Sequence, residues 1–403
     1  MRYVSTRGQT EAMTFTDALV AGLAPDGGLL VPDSLPDLPA GWVDWSYQEA
    51  MLSSLELFGA QDVSDLVASA ASRFNHPDIA PIVEVGDRLV FELFWGPTLS
   101  FKDHALQVVT RLLGREINRG TILGATSGDT GSAAIEAVRG SESLDIVILF
   151  PEGKVSGFQR RQMTTVTEAN VTAVAVRGTF DDCQALVKQA FSKQDLLAIN
   201  SINWARLAAQ VGYYIYAAAT IGERFDVVVP TGNFGNVYSC WVAKKMGLPI
   251  ETITVANNAN HRLSELITSG SMDRSEVIPT VAPSMDIQVP SNLERFTADP
   301  VAEFEAGWSD DEQIKETIRG VYRTHGYLLD THTATAWRAG VATRSDRPQL
   351  VVATAHPAKF ADVVTDAIGV PPALPHGYPD LSLLPERVVT IGNDPSALEP
   401  LIR

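Results

Sequence analysis

The feature that most constrains this fold is a series of short apolar segments that alternate with amphipathic stretches from about Leu89 onward. These candidate strands are TILGAT (121–126), DIVILF (145–150), VTAVAV (171–176), DVVVP (226–230), ETITVA (251–256) and QLVVAT (349–354). Strands that are apolar on both faces and separated by helices are typical of a parallel sheet covered on both sides. The sequence therefore predicts an α/β fold whose chemistry lies in the loops after the strands.

The regions outside this pattern differ in composition. Proline and glycine cluster near residues 24–42, and helix-like stretches follow near 47–58 and 63–74. The predicted divisions are a helical N-terminal extension (1–80), a smaller α/β region (81–225), a larger α/β region (226–369) and a C-terminal tail (370–403). We expect the larger α/β region to include some earlier segments of the chain as well.

The charge of the chain limits its partners. Its 403 residues include 31 Lys and Arg against 48 Asp and Glu, which gives a formal net charge of −17. A chain this acidic lacks the basic surface that binds nucleic acid or anionic membranes. No signal peptide or membrane-spanning stretch is evident, and the two cysteines, Cys183 and Cys240, suggest no disulfide framework. We expect a cytoplasmic protein, monomer or homodimer, that acts on a small molecule and binds neither nucleic acid nor membrane.

Lys102 is the first candidate for chemistry. It follows Phe101 in the segment GPTLSFKD, near the expected start of a helix. Apolar neighbours and the positive end of a helix disfavour an ammonium group. A neutral lysine amine can condense with a carbonyl. The alternative is a surface lysine whose stem lies along apolar neighbours.

The loop TSGDTGS follows the first candidate strand and contains Ser127, Asp129 and Thr130. Hydroxyl groups and backbone N–H groups at a helix N-terminus can bind a carboxylate or a phosphate. Simple N-capping of the helix explains the same residues equally well.

The loop PTGNFGN follows the strand DVVVP. Its glycines allow the backbone to close around a phosphate at the start of a helix. The alternative is a tight turn that caps the helix. The segment is not a Walker A motif, and the absence of any G-x-G excludes the dinucleotide fingerprint. The candidate residues are Gly232, Asn233, Phe234, Gly235 and Asn236.

The segment TAHPAKF begins with Thr354 at the end of a candidate strand. Its hydroxyl is suited to a hydrogen bond with an uncharged ring nitrogen. The alternative is a hydrogen bond between this hydroxyl and the backbone. We expect His356 and Lys359 to be structural. Neither an HExxH or Cys/His zinc spacing nor a G-x-S-x-G elbow occurs, so we expect no catalytic metal.

Five segments occur together in a fixed order: GPTLSFKDHALQ, TSGDTGSAA, NSINWARLAAQ, VPTGNFGNVYSCWVAKKMGLPI and ATAHPAKF. This combination closely resembles the threonine synthases, which belong to the tryptophan-synthase β-like group of pyridoxal-phosphate enzymes. The resemblance runs from RYVSTRG at the N-terminus to about residue 360. It implies fold type II, with two open, mostly parallel twisted sheets covered by helices, and pyridoxal 5'-phosphate as cofactor.

The resemblance implies cofactor-binding roles for several of these residues. Lys102 would hold pyridoxal phosphate covalently and serve as the catalytic residue. The loop from Gly232 to Asn236 would cradle the cofactor phosphate. Thr354 would face the ring nitrogen, and Asp129 would lie near the 3-oxygen of the ring.

The resemblance also implies the substrate and its contacts. Ser127 and Thr130 would lie near the substrate carboxylate, and Ser201, Asn203 and Arg206 would hold the substrate phosphate. Arg206 would supply a forked cation for an anion that the acidic chain otherwise repels. The implied reaction converts O-phospho-L-homoserine and water to L-threonine and phosphate.

Two alternatives remain at this point. One is a phospho-lyase or a threonine/serine dehydratase that forms a 2-oxo acid, although a dehydratase does not need a pocket for substrate phosphate. The other is a non-catalytic protein of the same fold that binds an amino acid or an anion.

Overall fold

The computed structural model describes residues 1–126, 128–272, 276–296 and 300–402. The strands are β1 (Tyr3–Ser5), β2 (Leu30–Pro32), β3 (Ile82–Val85), β4 (Arg88–Glu92), β5 (Gly120–Ala125), β6 (Leu144–Pro151), β7 (Val171–Val176), β8 (Phe225–Pro230), β9 (Ile250–Asn257), β10 (Glu305–Trp308), β11 (Gln349–Ala353) and β12 (Val389–Ile391).

The helices alternate with the strands through most of the chain. The α-helices are α1 (Phe15–Ala21), α2 (Tyr47–Leu57), α3 (Ser64–Ala71), α4 (Lys102–Glu116), α5 (Asp129–Val138), α6 (Gly157–Thr164), α7 (Phe180–Phe191), α8 (Trp204–Ile221), α9 (Gly235–Lys245), α10 (Arg262–Ser269), α11 (Pro300–Glu303), α12 (Asp311–His325), α13 (Thr331–Ala342), α14 (Ala361–Ile368) and α15 (Pro395–Leu398). Short 3-10 helices are Trp42–Asp44, Pro283–Met285, Ser291–Arg295, Pro357–Phe360, Leu381–Leu383 and Glu399–Leu401.

Two mostly parallel sheets form the centre of the molecule. The larger sheet has the strand order β10-β9-β8-β11-β4-β3, with β3 antiparallel to β4 and the remaining neighbours parallel. The smaller sheet has the order β12-β7-β6-β5, with every pair parallel. The predicted α/β fold is therefore confirmed, and the six candidate strands correspond to β5, β6, β7, β8, β9 and β11.

The chain passes between the two sheets more than once. Strands β3 and β4 belong to the larger sheet although β5, β6 and β7 of the smaller sheet follow them in sequence. Near the other end of the chain, β12 pairs with β7 as the outer strand of the smaller sheet. The division of the chain at residues 80, 225 and 369 stays a prediction.

Helix α8 is central to the packing between these elements. Fourteen of its residues are buried, including Tyr213 and Tyr214, and it contacts α2, α4 and α9. A helix that is apolar on nearly every side is stable only when it is enclosed by other elements. Among the helices of the described residues, none has the length and apolarity needed to cross a membrane.

His104 joins the N-terminal helices to α4. Its Nε2 lies 3.1 Å from the carbonyl oxygen of Leu93, to which it donates, and its Nδ1 lies 2.6 Å from the hydroxyl of Tyr47. Because a carbonyl only accepts, Nδ1 is the acceptor for the tyrosine. Burial lowers the pKa of His104 to about 3. The imidazole is therefore neutral in the folded protein.

We predict that His104 makes the fold sensitive to acid. The unfolded chain protonates this histidine near pH 6.5, whereas the folded chain does so only near pH 3, so stability is lost as the pH falls between these values. From pH 6.5 to pH 5, this loss should be about 1.6 kcal/mol. Urea unfolding at both pH values should show a smaller difference for His104→Gln than for the parent. His76→Gln, on an accessible histidine, is the control, and equal pH slopes for His104→Gln and parent would contradict the prediction.

Candidate functional site

The loops after β4, β5, β8 and β11 surround a cavity of about 660 Å³, including its open mouth. All four loops lie at the carboxyl ends of parallel strands, as expected for a site in an α/β fold. The predicted residues that line the cavity are Lys102, Asp129, Thr130, Ser201, Arg206, Gly232, Asn233, Phe234, Gly235, Asn236 and Thr354.

Asn203 is the one predicted residue of the described chain that is not among this lining. Asn203 is the N-cap of α8, where its Oδ1 accepts from the backbone N–H of Ala205 at 3.0 Å and its Nδ2 donates to the carbonyl of Leu19 at 2.8 Å. Both ends of its amide are thus used in the fold. Ser127 lies outside the described residues.

Lys102 is the first residue of α4, and its side chain is only 12% exposed. Its Nζ lies 3.4 Å from Oδ2 of Asp129 and 4.8 Å from the centre of the Phe101 ring. Burial lowers the pKa of Lys102, and the positive charges of Lys359 and Arg206 lower it further, against the opposing effect of Asp129. These surroundings favour the neutral amine, which is the nucleophilic form.

Thr354 is fixed relative to Lys102 by backbone hydrogen bonds. The carbonyl of Thr354 accepts from the N–H of Phe101 at 2.9 Å, and the N–H of His356 donates to the carbonyl of Leu99 at 3.0 Å. Thr354 itself is among the residues that line the cavity. The segment after β11 and the segment before α4 therefore present their side chains to one space.

Asp129 is a buried carboxylate shared by several donors. Its Oδ1 lies 2.9 Å from Nζ of Lys359 and accepts from Nε2 of Gln159 at 2.7 Å. Its Oδ2 contacts Nζ of Lys102 and accepts from the hydroxyl of Ser284 at 3.2 Å. Burial alone would raise the pKa of Asp129, but the ammonium group of Lys359 beside it holds that pKa well below its usual range. The side chain is an anion.

The loop between β8 and α9 has a constrained backbone. Phe234 has a φ of +64°, which is uncommon for a residue with a side chain. Its ring is buried against Phe296 and Phe304, so packing stabilises this conformation. The carbonyl of Asn233 accepts from the N–H and Nδ2 of Asn292 at 3.2 Å and 3.0 Å. The loop is therefore held in place before any ligand binds.

Asn236 presents an unpaired donor beside this loop. Its Oδ1 accepts from the hydroxyls of Tyr213 at 2.6 Å and Tyr214 at 2.7 Å. Its Nδ2 is buried and has no hydrogen-bond partner among the described residues. A buried amide donor at the start of a helix is suited to an anion, because the first backbone N–H groups of the helix are also free.

Arg206 is a second unpaired donor in the cavity wall. It is 3% exposed, and its Nε and Nη1 have no hydrogen-bond partner in the described parts of the chain. Burial lowers its pKa to about 10, which still leaves the guanidinium charged at neutral pH. A buried cation without a partner is costly, so the geometry is suited to an anionic ligand.

Ser284 and His332 also line the cavity, and neither was predicted from the sequence. Nε2 of His332 accepts from the N–H of Ser284 at 3.2 Å, and Nδ1 donates to Asp330 at 3.0 Å. His332 lies in the segment GYLLDTHTATA, for which no role was predicted. Ser284 lies in a segment without a motif, so only the fold reveals it. Within the described residues, no cluster of three or more His, Cys, Asp or Glu could hold a metal ion.

Comparisons with known proteins give a consistent result over most of the chain. The family model of pyridoxal-phosphate dependent enzymes matches residues 87–355, and models of the threonine synthase N terminus and C-terminal region match 2–70 and 333–402. The threonine synthase of Pseudomonas aeruginosa is 41% identical, covering 100% of this chain and 98% of the relative. That of Saccharomyces cerevisiae is 36% identical, covering 91% and 89%.

Solved structures give the same result. The crystal structure of pyridoxal-phosphate-bound threonine synthase from Brucella melitensis has a TM-score of 0.95 and 40% identity, covering 100% of this chain and 98% of that one. Threonine synthase from Escherichia coli has a TM-score of 0.89 and 31% identity, covering 100% and 99%. A threonine deaminase from Solanum lycopersicum, at a TM-score of 0.62 and 14% identity, shares the fold.

We predict that Gly232 cannot be replaced without disturbing the cavity. A Cβ at this position would lie 2.5 Å from the carbonyl oxygen of Ser284 and 3.2 Å from Cα of Met285, both of which are backbone atoms. Gly232→Ala should therefore lower the free energy of unfolding by about 1–3 kcal/mol in urea titrations. Gly320→Ala in α12 is the control, because its added methyl group meets nothing within 4 Å. Equal stability of Gly232→Ala and the parent would contradict this close approach.

Proposed function

This chain belongs to the threonine synthase family of pyridoxal-phosphate-dependent enzymes, and on that premise we propose that its cavity converts O-phospho-L-homoserine and water to L-threonine and phosphate. The observation that carries the proposal is the pair of unpaired buried donors, Arg206 and Asn236, on one cavity with the amine of Lys102. Such a cavity has places for two anions and one carbonyl compound.

The residues of the cavity fit pyridoxal phosphate. Nδ2 of Asn236 and the start of α9 would hold the phosphate, with Gly232 allowing the loop to approach closely. The buried amine of Lys102 would hold the aldehyde carbon, and the Thr354 hydroxyl would meet the ring nitrogen. When bound, the cofactor supplies an electron sink that stabilises negative charge on the substrate carbon atoms.

Lys102 is the base in the proposed mechanism. Its amine, kept neutral by burial and by neighbouring cations, accepts the proton from Cα of the substrate. A proton also leaves Cβ, phosphate departs from Cγ, and water then adds at Cβ. Protons return to Cγ and Cα, so the net reaction consumes one water and releases one phosphate.

Arg206 is proposed to bind the substrate phosphate and to stabilise it as it leaves. Its Nε and Nη1 are buried donors without a protein partner, and a charge-assisted hydrogen bond from such a donor to a phosphate is strong in a buried site. Ser201 is proposed to contribute a hydroxyl to the same phosphate, and Thr130 to contact the substrate carboxylate, because both line the cavity. The contributions of Ser127 and Asn203 stay predictions of the sequence.

A phospho-lyase is the nearest competing function. It would use the same substrate and the same contact to Arg206, but it would release 2-oxobutyrate instead of adding water at Cβ. A threonine or serine dehydratase has no substrate phosphate, so it leaves the buried donors of Arg206 without the partner that we propose for them. Product analysis therefore separates the two reactions that remain.

We further propose that the protein acts in the cytoplasm, as a monomer or homodimer, and binds no nucleic acid. The net charge of −17 and the two buried free cysteines, Cys183 and Cys240, support this proposal. Analytical ultracentrifugation tests the assembly state, and a tetramer would contradict it.

We predict that Lys102 is required for threonine formation. The parent protein with O-phospho-L-homoserine should yield threonine and phosphate in equal amounts, and borohydride should fix a pyridoxyl group on the peptide that contains residue 102. Lys102→Ala should lose both, with the rate reduced on the order of 1000-fold or more. Lys245→Ala, at a surface lysine paired with Glu303, should lose neither. Turnover by Lys102→Ala would remove Lys102 from its role, and 2-oxobutyrate as product would refute threonine synthesis.

We predict that Arg206 discriminates in favour of phosphorylated substrates. Arg206→Ala should raise KM for O-phospho-L-homoserine by about 100-fold, since the charge-assisted contact to the substrate phosphate is lost. The affinity for L-homoserine, measured as an inhibitor, should change little. Arg224→Ala, at an exposed arginine paired with Glu251, is the control. An equal loss of affinity for both ligands would show that Arg206 has only a structural role.

A further inference from the structure

Lys359 is a second buried lysine close to the cavity. Its side chain has no exposed surface, and its ammonium group contacts three acceptors: the carbonyl of Thr98 at 2.6 Å, Oε1 of Gln162 at 3.0 Å and Oδ1 of Asp129 at 2.9 Å. Three acceptors match the three N–H groups of an ammonium ion. The ammonium group of Lys359 is therefore held in a fixed position in the fold.

The three acceptors of Lys359 are themselves held in place. Both Thr98 donors are fixed by Asp103, whose Oδ2 accepts from the Thr98 N–H at 2.8 Å and whose Oδ1 accepts from the hydroxyl at 2.7 Å. This orients the carbonyl of Thr98. Nε2 of Gln162 also donates to the same carbonyl at 2.9 Å. The position of the Lys359 charge is thus determined by the loop that leads into α4.

Asp129 lies between the two lysines. Lys359 contacts Oδ1 at 2.9 Å, whereas Lys102 is at 3.4 Å from Oδ2. The shorter contact belongs to the lysine that does not line the cavity. The negative charge of Asp129 is therefore mostly balanced by Lys359, and Lys102 does not need to be protonated to satisfy it.

We propose that Lys359 is a positioning residue for the reaction: its fixed positive charge balances Asp129, so that Lys102 beside them is available as a neutral amine. The inference rests on the role of Lys102 in the proposed function. Without Lys359, Asp129 would have Lys102 as its remaining ammonium partner among the described residues, and this pairing would favour the protonated, unreactive form of Lys102.

The other charged and titratable groups around Lys102 and Lys359 are consistent with this role of Lys359. Arg206 on α8 adds a second positive charge that acts on Lys102. His332 on α13 faces Asp129, and its ring is bonded to Asp330 and to the N–H of Ser284. On α4 itself, Asp103 is buried against Thr98, and burial raises its pKa to about 7. Asp129 is thus the anion that contacts Lys102.

A charge-compensation experiment on the full-length chain without cofactor tests this inference. The rate of methylation of Lys102 by trace formaldehyde and cyanoborohydride is followed against pH by peptide mass spectrometry, because only the neutral amine reacts. Asp129→Asn leaves Lys359 as an unbalanced cation, so the midpoint of the Lys102 profile should fall by about one pH unit or more. Adding Lys359→Met to Asp129→Asn should return the midpoint to within about half a unit of the parent.

Lys359→Met alone should move the midpoint in the opposite direction, upward by about one unit or more. If this single variant does not fold, the comparison of Asp129→Asn with the double variant still measures the effect of Lys359, since neither leaves a buried carboxylate unpaired. Lys245→Met is the matched control and should not move the profile. An identical Lys102 midpoint in Asp129→Asn and in the double variant would overturn the inference.

This measurement is independent of the proposed reaction. It uses neither substrate nor cofactor, so a protein that fails to form threonine still gives a Lys102 profile. A purely structural Lys359 would change the melting temperature of the variants without moving that profile. Failure of the proposed function and failure of this inference are therefore distinguishable.

Discussion

The site depends on one buried carboxylate that joins separate parts of the chain. Asp129 at the start of α5 accepts from α4, from α6, from the turn after β11 and from the loop that contains Ser284. Along the chain, these segments follow strands of both sheets. A carboxylate with this many donors is anionic and immobile. Asp129 thus influences both the charges around Lys102 and the relative positions of the loops.

A second feature of the cavity is a pair of buried donors on adjacent helices. Asn236 and Arg206 lie on neighbouring helices, α9 and α8, and each has donors that the described protein atoms leave free. The tyrosine pair on α8 fixes the amide of Asn236, so this helix supports both donors. In an acidic chain, these local donors are what attracts anions, since the overall field repels them.

The sequence predicted the parallel sheets and most of the cavity because both leave local patterns. Apolar β-branched runs identify central strands, and glycine- and hydroxyl-rich loops follow them. It did not predict β3, β10 or β12, because short edge strands lack a continuous apolar run. It also missed β4, an inner strand whose apolar run is short and has Arg88 and Glu92 at its two ends. Lys359 was expected to be structural, and its contact with Asp129 depends on a fold that joins residues 230 positions apart. Asn203 fitted the motif, but its amide caps α8 in the structure.

The order of strands in the larger sheet has a consequence for folding during synthesis on the ribosome. Strand β11 lies between β4 and β8 and is the only element of the described chain that pairs with both. Until residues 349–353 have been translated, the sheet exists as two unjoined pieces. A nascent chain therefore contains Lys102 long before it can form the cavity around that residue, because β11 joins the two parts of the larger sheet.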